Sequence, residues 1–164
     1  MFLLGLGSNL SSSFGDRFEN LNLAISYLET YQIKIINRSS FYETASYPDI
    51  KNPKFINLVV DVSTYLLPED LASVLIFVEE KLERKRIKEN EPRTCDIDII
   101  DYNGKVLNFT CKSLIFKVPH EKLIYRNFVL FPLREVAPRW MHPKTNDSID
   151  QLINKLPNKE KKSI

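Results

Sequence analysis

Asp96 and Asp98 stand two residues apart in Pro92-Arg93-Thr94-Cys95-Asp96-Ile97-Asp98-Ile99-Ile100, inside a β-branched, apolar run. That run reads as a buried strand. Strand side chains alternate faces, so the two carboxylates share one face while Ile97 and Ile99 point into a core on the other. Two like charges side by side on a half-buried strand repel each other and are costly to desolvate. A divalent cation or an arginine cluster offsets them, and arginines lie directly upstream. The chemistry this pattern fits is a magnesium-dependent phosphate site. The alternative is a solvent-facing edge with two ordinary aspartates.

Upstream, the stretch Lys81 to Arg93 carries six basic residues against three acidic ones. A guanidinium fork matches phosphate oxygens, so this stretch reads as a loop whose arginines clamp phosphates. The competing reading is a solvated helix end, where the macrodipole favours cations. Downstream, His120 follows Val118-Pro119 in an apolar setting and can donate a hydrogen bond to a phosphate near neutral pH. His142 receives no role. Tyr47, Phe55 and Phe128 can sandwich a flat heterocycle, although core packing or surface cover is the better explanation of any one of them alone. Asn57 lies among apolar residues on a strand face shared with Phe55 and Val59. An amide there needs a partner, and its donor and acceptor suit the edge of a base or pterin.

The elements that must position these groups follow from periodicity. Phe2–Leu6 reads as a strand and Asp16–Glu29 as an amphipathic helix. Ile33–Tyr42 reads as a strand, residues 44–54 as a polar loop, and Phe55–Tyr65 as the clearest strand. Pro68 starts a second helix with Leu71, Val74, Leu75, Val78 and Leu82 as its buried stripe. Arg84–Pro92 is a charged loop and Asp96–Tyr102 the carboxylate strand. Asn103-Gly104 predicts a hairpin turn into residues 105–108. The order strand, helix, strand, strand, helix, strand predicts an α+β, ferredoxin-like sandwich. Its antiparallel sheet carries helices packed on one face. Beyond Pro119 the pattern is short helical pieces, read as a helical C-terminal extension decorating the same core. One domain spans residues 1–154, and the lysine-rich tail 155–164 is expected to fray.

Composition narrows the function classes. At 164 residues the chain suffices for one domain with a real core. A formal charge of +2 is too near zero to argue for nucleic acid or an anionic membrane. The start, Met1-Phe2-Leu3-Leu4-Gly5, lacks the basic region of a secretory signal, and no apolar run reaches transmembrane length. Cys95 and Cys111 are too few for a disulfide framework and read as free thiols in a reducing cytosol. The expected location is cytoplasmic.

In order along the chain come Gly7-Ser8-Asn9-Leu10, Ser39-Ser40-Phe41-Tyr42-Glu43-Thr44, Phe55-Ile56-Asn57, Arg84-Lys85-Arg86, the Pro92–Asp98 run, Pro119-His120 and Arg126-Asn127-Phe128-Val129-Leu130-Phe131-Pro132-Leu133. This ordered set resembles the 6-hydroxymethyl-7,8-dihydropterin pyrophosphokinases of folate biosynthesis, from the first strand to about Pro138. The resemblance implies a one-step transfer of pyrophosphate from ATP to the pterin hydroxymethyl group, with AMP leaving. It implies two magnesium ions on Asp96 and Asp98. Arg84, Arg86 and Arg93 take the catalytic, phosphate-binding positions. Glu79, Arg86, Arg93, Ile99, His120 and Arg126 fall on the ATP side. Thr44, Tyr47, Phe55, Asn57, Asp96 and Phe128 fall on the pterin side. The partners implied are these two small molecules, with a monomeric enzyme and no nucleic acid or membrane.

Family members commonly carry Arg-Trp-Gly-Pro-Arg in the flexible loop, where this chain has Glu89-Asn90-Glu91-Pro92-Arg93. The covering tryptophan and one arginine are thus replaced by Asn90 and Glu89, which implies a differently sealed lid. Ala45-Ser46-Tyr47-Pro48 stands where proline and glycine are usual. Two rival classes share parts of the pattern. A palm-type nucleotidyl transferase or cyclase also uses two aspartates and magnesium on this fold, but the chain offers no broad basic face for a duplex. A non-catalytic RNA-binding module of this fold needs aromatics on adjacent central strands in a motif that is absent here.

Overall fold

Apolar side chains alternate along Phe2–Ser8 (β1) and Phe55–Ser63 (β4), and these two strands become the centre of an antiparallel sheet. The computed structural model describes residues 1–164. Lys34–Arg38 (β2) pairs with the outer side of β4, and Asp96–Tyr102 (β5) with the outer side of β1, giving the order β2-β4-β1-β5. Tyr42–Thr44 (β3) continues the pairing along β4. The expected strand Ile33–Tyr42 is therefore two strands. It breaks at Ser39, whose hydroxyl accepts a hydrogen bond from Val59 N at 3.0 Å. With helices Arg17–Thr30 (α1) and Pro68–Lys81 (α2), the ferredoxin-like order holds. The Asp16 carboxylate caps α1 by accepting from Glu19 N at 2.9 Å. Pro68 opens α2, with Glu69 and Asp70 favoured in its first turn by the dipole.

Two cores flank the sheet. Leu4, Leu6, Leu58, Val60, Ile97 and Ile99 point to one side and pack with Leu21, Leu28, Leu71 and Leu75 of α1 and α2. Leu3, Val59 and Ile100 point to the other and meet Leu130 and Leu133 of helix Asn127–Val136 (α3), with Leu152 and Ile153 of helix Ile149–Lys155 (α4). The C-terminal quarter is thus a wall of a second core and not a decoration on the first. Trp140, 5% exposed, fastens it by donating Nε1–H to Asp101 at 2.6 Å. Glu135 of α3 accepts from Ser40 N, Ser40 Oγ and Tyr42 Oη, tying the helix to β3. In the tail, Asn158–Lys162 forms a short helix (α5), and the Asn127 amide donates to Glu160 O and Ser163 Oγ at 2.9 Å.

The predicted hairpin off β5 is corrected. Asn103 and Gly104 do turn the chain, at φ 52° and 73°. The segment beyond it, Leu107–Cys111 (β6), pairs instead with Leu114–Val118 (β7) as a separate two-stranded sheet. Phe109 and Phe116 stack across that hairpin, ring centroids 5.3 Å apart. Packing against the β5 edge and α2 suits this hairpin better than extending the main sheet. No helix is long and apolar enough to cross a membrane.

Candidate active site

The sheet register assembles the site. In antiparallel pairing, directly opposite side chains share a face. Gly7 lies opposite Asn57 on β4 and opposite Asp96 on β5, and Gly5 lies opposite Val59 and Asp98. The central strand therefore offers bare backbone between an amide on one side and two carboxylates on the other. That makes a shallow floor bordered by Asn57 and the aspartates. A Cβ at Gly7 would sit 2.9 Å from Asn57 Oδ1. Asn57 in turn donates Nδ2–H to Thr44 Oγ1 at 2.9 Å. Phe55, on β4, lies two residues from Asn57 on the same face.

Four guanidiniums surround the carboxylates. Arg84 binds Asp96 Oδ1 at 2.7 Å, Glu79 Oε1 at 3.2 Å and Cys95 O at 3.0 Å. Arg93 binds Asp96 Oδ2 at 3.2 Å, and its guanidinium lies 5.4 Å from the centre of the Phe55 ring. Arg126 binds Asp98 Oδ2 at 3.3 Å and lies 5.6 Å from the Phe128 ring. Arg86 pairs with Glu79. Arg93 and Arg126, which lie against Phe55 and Phe128, therefore each also neutralise one aspartate.

Glu79 is the buried anchor of the cluster at 3% exposure, and its carboxylate also accepts from Ile97 N at 2.8 Å. Burial and then Asp96 push its carboxyl up to about 8, while Arg84, Arg86 and the Ile97 N–H pull it back. Burial also works to raise Asp96, but Arg84 and Arg93 outweigh it and hold the group below its ordinary value. Asp98, pushed by burial and then by Asp96, rises to about 6. A pair in which one carboxylate raises the other is a pair that a cation relieves. The side chains are 29% and 40% exposed, within reach of an ion. Two hard oxygen ligands on one face match what magnesium takes from a protein when phosphates and water complete its shell. The residues present thus fit magnesium.

A cavity of about 220 Å³ opens along the outer edge of β5, between α2 and β7. Its lining combines the polar Glu79, Arg84, Arg86, Asp96, Asp98 and His120 with the apolar Ile76, Ile97, Ile99 and Phe116. A lining that mixes apolar side chains with a few converging charged groups is that of a small-molecule site. Burial and then Arg126 lower His120 to about 4, so it is neutral at pH 7. Its Nδ1 accepts from Lys122 N at 3.1 Å, which leaves the proton on Nε2 as a donor.

The structure brings many of the residues singled out from the sequence together in space. Glu79, Arg84, Arg86, Asp96, Asp98, Ile99 and His120 come together at the cavity. Arg126 joins them through Asp98, and Arg93 through Asp96. Thr44, Phe55 and Asn57 meet on the opposite side of the Gly7 backbone, and Phe128 lies beside Arg126. Tyr47 stands apart in the 45–54 loop at 86% exposure, while the preceding Ser46 turns inward and donates to Pro53 O at 2.6 Å. Sequence reasoning missed the β7 wall. Its signal was the alternation of Leu107, Phe109 and Cys111 against Leu114, Phe116 and Val118.

Comparison with known proteins gives a consistent result. The family model described as 7,8-dihydro-6-hydroxymethylpterin-pyrophosphokinase (HPPK) matches residues 3–138. A 2-amino-4-hydroxy-6-hydroxymethyldihydropteridine pyrophosphokinase of Synechocystis sp. is 34% identical over 155 residues, covering 94% of this chain and 75% of that protein. One of the same name from Aquifex aeolicus is 36% identical over 140 residues, covering 85% and 82%. A folic acid synthesis protein of Dictyostelium discoideum is 35% identical over 155 residues, but the chain spans only 22% of its length. Among solved structures, a Plasmodium falciparum HPPK-DHPS superposes with a TM-score of 0.75 over 94% of this chain and 44% of that one. At 18% identity this last likeness is one of fold.

Proposed function

The chain belongs to the 7,8-dihydro-6-hydroxymethylpterin-pyrophosphokinase family, and on that premise we propose how its residues divide the work. The reaction is the family's, a step of folate biosynthesis: pyrophosphate passes from ATP to the hydroxymethyl group of 6-hydroxymethyl-7,8-dihydropterin. The hydroxymethyl oxygen bonds to the β-phosphorus, the bond from that phosphorus to the oxygen bridging to the α-phosphate breaks, and AMP leaves. The hydroxyl proton is released.

The observation that carries this assignment is the bare Gly5–Gly7 backbone between Asn57 and the aspartate pair. It sets a flat, amide-bordered platform on one side of the carboxylates and the arginine-lined cavity on the other. Asn57 holds the pterin edge, with Phe55 and Phe128 supplying ring faces. The cavity takes the nucleotide, its base among Ile99, Phe116 and their apolar neighbours, its phosphates toward Arg84 and Arg86. His120 donates a neutral hydrogen bond on that side. Asp96 and Asp98 would hold two magnesium ions, which would supply charge neutralisation and orientation of the polyphosphate. Arg93 and Arg126, which cover the aspartates in the free protein, exchange those contacts for phosphate oxygens. On this reading the enzyme is a cytoplasmic monomer whose partners are these two small molecules.

The test is differential binding by titration calorimetry. Asn57→Ala is expected to weaken pterin binding by about tenfold or more, because a buried amide contact is lost. Affinity for a magnesium-bound, non-hydrolysable ATP analogue should stay within about twofold. Equal loss of both ligands contradicts the assignment.

A further inference from the structure

Asn9 is 2% exposed and belongs to neither substrate's set of residues. Its backbone N–H donates to Arg93 O at 3.0 Å, and its Oδ1 accepts from Arg93 N at 2.8 Å. These two bonds join the chain just past β1 to the chain just before β5, and they fix the backbone from which the Arg93 guanidinium reaches Asp96. Its Nδ2 donates to Ser46 Oγ and to Pro53 O, both at 3.1 Å, and Ser46 Oγ itself donates to Pro53 O. Ser46 follows Thr44 by two residues, and Pro53 precedes Phe55 by two. One amide thus closes the base of the 45–54 loop and holds the end of the arginine-bearing segment. The side chain fits only one way round, since a carbonyl cannot donate and a backbone N–H cannot accept.

We propose that Asn9 is a positioning residue that sets the pterin-side loop and the phosphate-side Arg93 in register with each other. It touches neither substrate. It acts through Ser46 and Pro53 on one side and through Arg93 on the other, so the platform and the clamp are assembled as one unit. This rests on the pterin and phosphate assignments made above.

Three variants separate the two arms. Asn9→Ala removes every side-chain bond, Asn9→Asp keeps the acceptor for Arg93 N but loses both donors, and Ser46→Ala removes only part of the loop closure. In the protein without ligands, Asn9→Ala should speed amide hydrogen exchange at Arg93 and across residues 46–53. Ser46→Ala should do so at 46–53 alone. In single-turnover kinetics, Asn9→Ala should raise the pterin Kd and lower the saturated rate, each about five- to tenfold, as expected for one or two lost buried bonds. Asn9→Asp and Ser46→Ala should raise the pterin Kd and keep the saturated rate within about threefold. If Asn9→Ala does not fold, these last two carry the test. Asn9→Asp losing rate and affinity alike, or Asn9→Ala changing neither, overturns the proposal. Wild-type protein that releases no pterin-dependent AMP would instead overturn the reading of the site, while the exchange pattern would still report on the Asn9 linkage.

Discussion

Position 7 holds a glycine because its neighbours across the sheet leave no room for anything else. A methyl group there would approach the Asn57 oxygen to 2.9 Å, inside normal contact distance, and Asn57 is already held by Thr44. Gly7→Ala should therefore displace the Asn57 amide and weaken pterin binding by about tenfold, with nucleotide-analogue affinity little changed. Equilibrium titration of both ligands checks this, and unchanged pterin affinity would contradict it. His120 offers a prediction of a different kind. Burial, then Arg126, lowers it to about 4 from an ordinary 6.5. Between those two values the unfolded chain binds more protons than the folded one, so stability falls as pH drops through that window. Urea midpoints should show the wild type losing stability relative to His120→Gln between pH 7 and pH 4. Parallel curves would contradict the burial argument.

At the scale of elements, legibility depended on whether the signal was local. The carboxylate strand could be read because alternation alone places Asp96 and Asp98 on one face and Ile97 and Ile99 on the other. The helices could be read from apolar residues at helical spacing and, for α2, from an initial proline. The β6–β7 hairpin could not, because its turn residues, Lys112 and Ser113, take φ values of 46° and 65° without the Asn-Gly or Asp-Gly pair that advertises such a turn. Nearby Asn103-Gly104 carries that advertisement, yet the chain beyond it packs elsewhere. Nor could Asn9 be read as a hub, since its partners lie 37, 44 and 84 residues away. The strained turn yields a test. Replacing Lys112-Ser113 by Asn-Gly should raise stability by about 0.5–1 kcal/mol, because both new residues accept positive φ more readily. Thermal melts measure this. A lower melting temperature would mean that the two side chains do more than turn the chain.

For the molecule as a whole, two cores clamp one sheet, and the site lies where that sheet ends. The core against α1 and α2 fixes the faces of β1, β4 and β5, while α3 and α4 build the second core. α3 also delivers Phe128 toward the platform, with Arg126 at its start. Tyr47, assigned from the resemblance, lies exposed in the 45–54 loop beside the inward-turned Ser46, a placement no local periodicity announces. The loop 89–91 replaces the usual tryptophan and arginine with Asn90 and Glu89, and the aspartate pair keeps its three guanidiniums, Arg84, Arg93 and Arg126. The whole arrangement therefore predicts a working pyrophosphokinase. Its most direct test is AMP release from ATP and magnesium, with and without 6-hydroxymethyl-7,8-dihydropterin, by wild type, Asp96→Ala and Asp98→Ala. AMP should appear only with the pterin, alongside pterin pyrophosphate, and both variants should fall by about a thousandfold or more while keeping a native fold. AMP formed without pterin, or full turnover in either folded variant, would contradict the account.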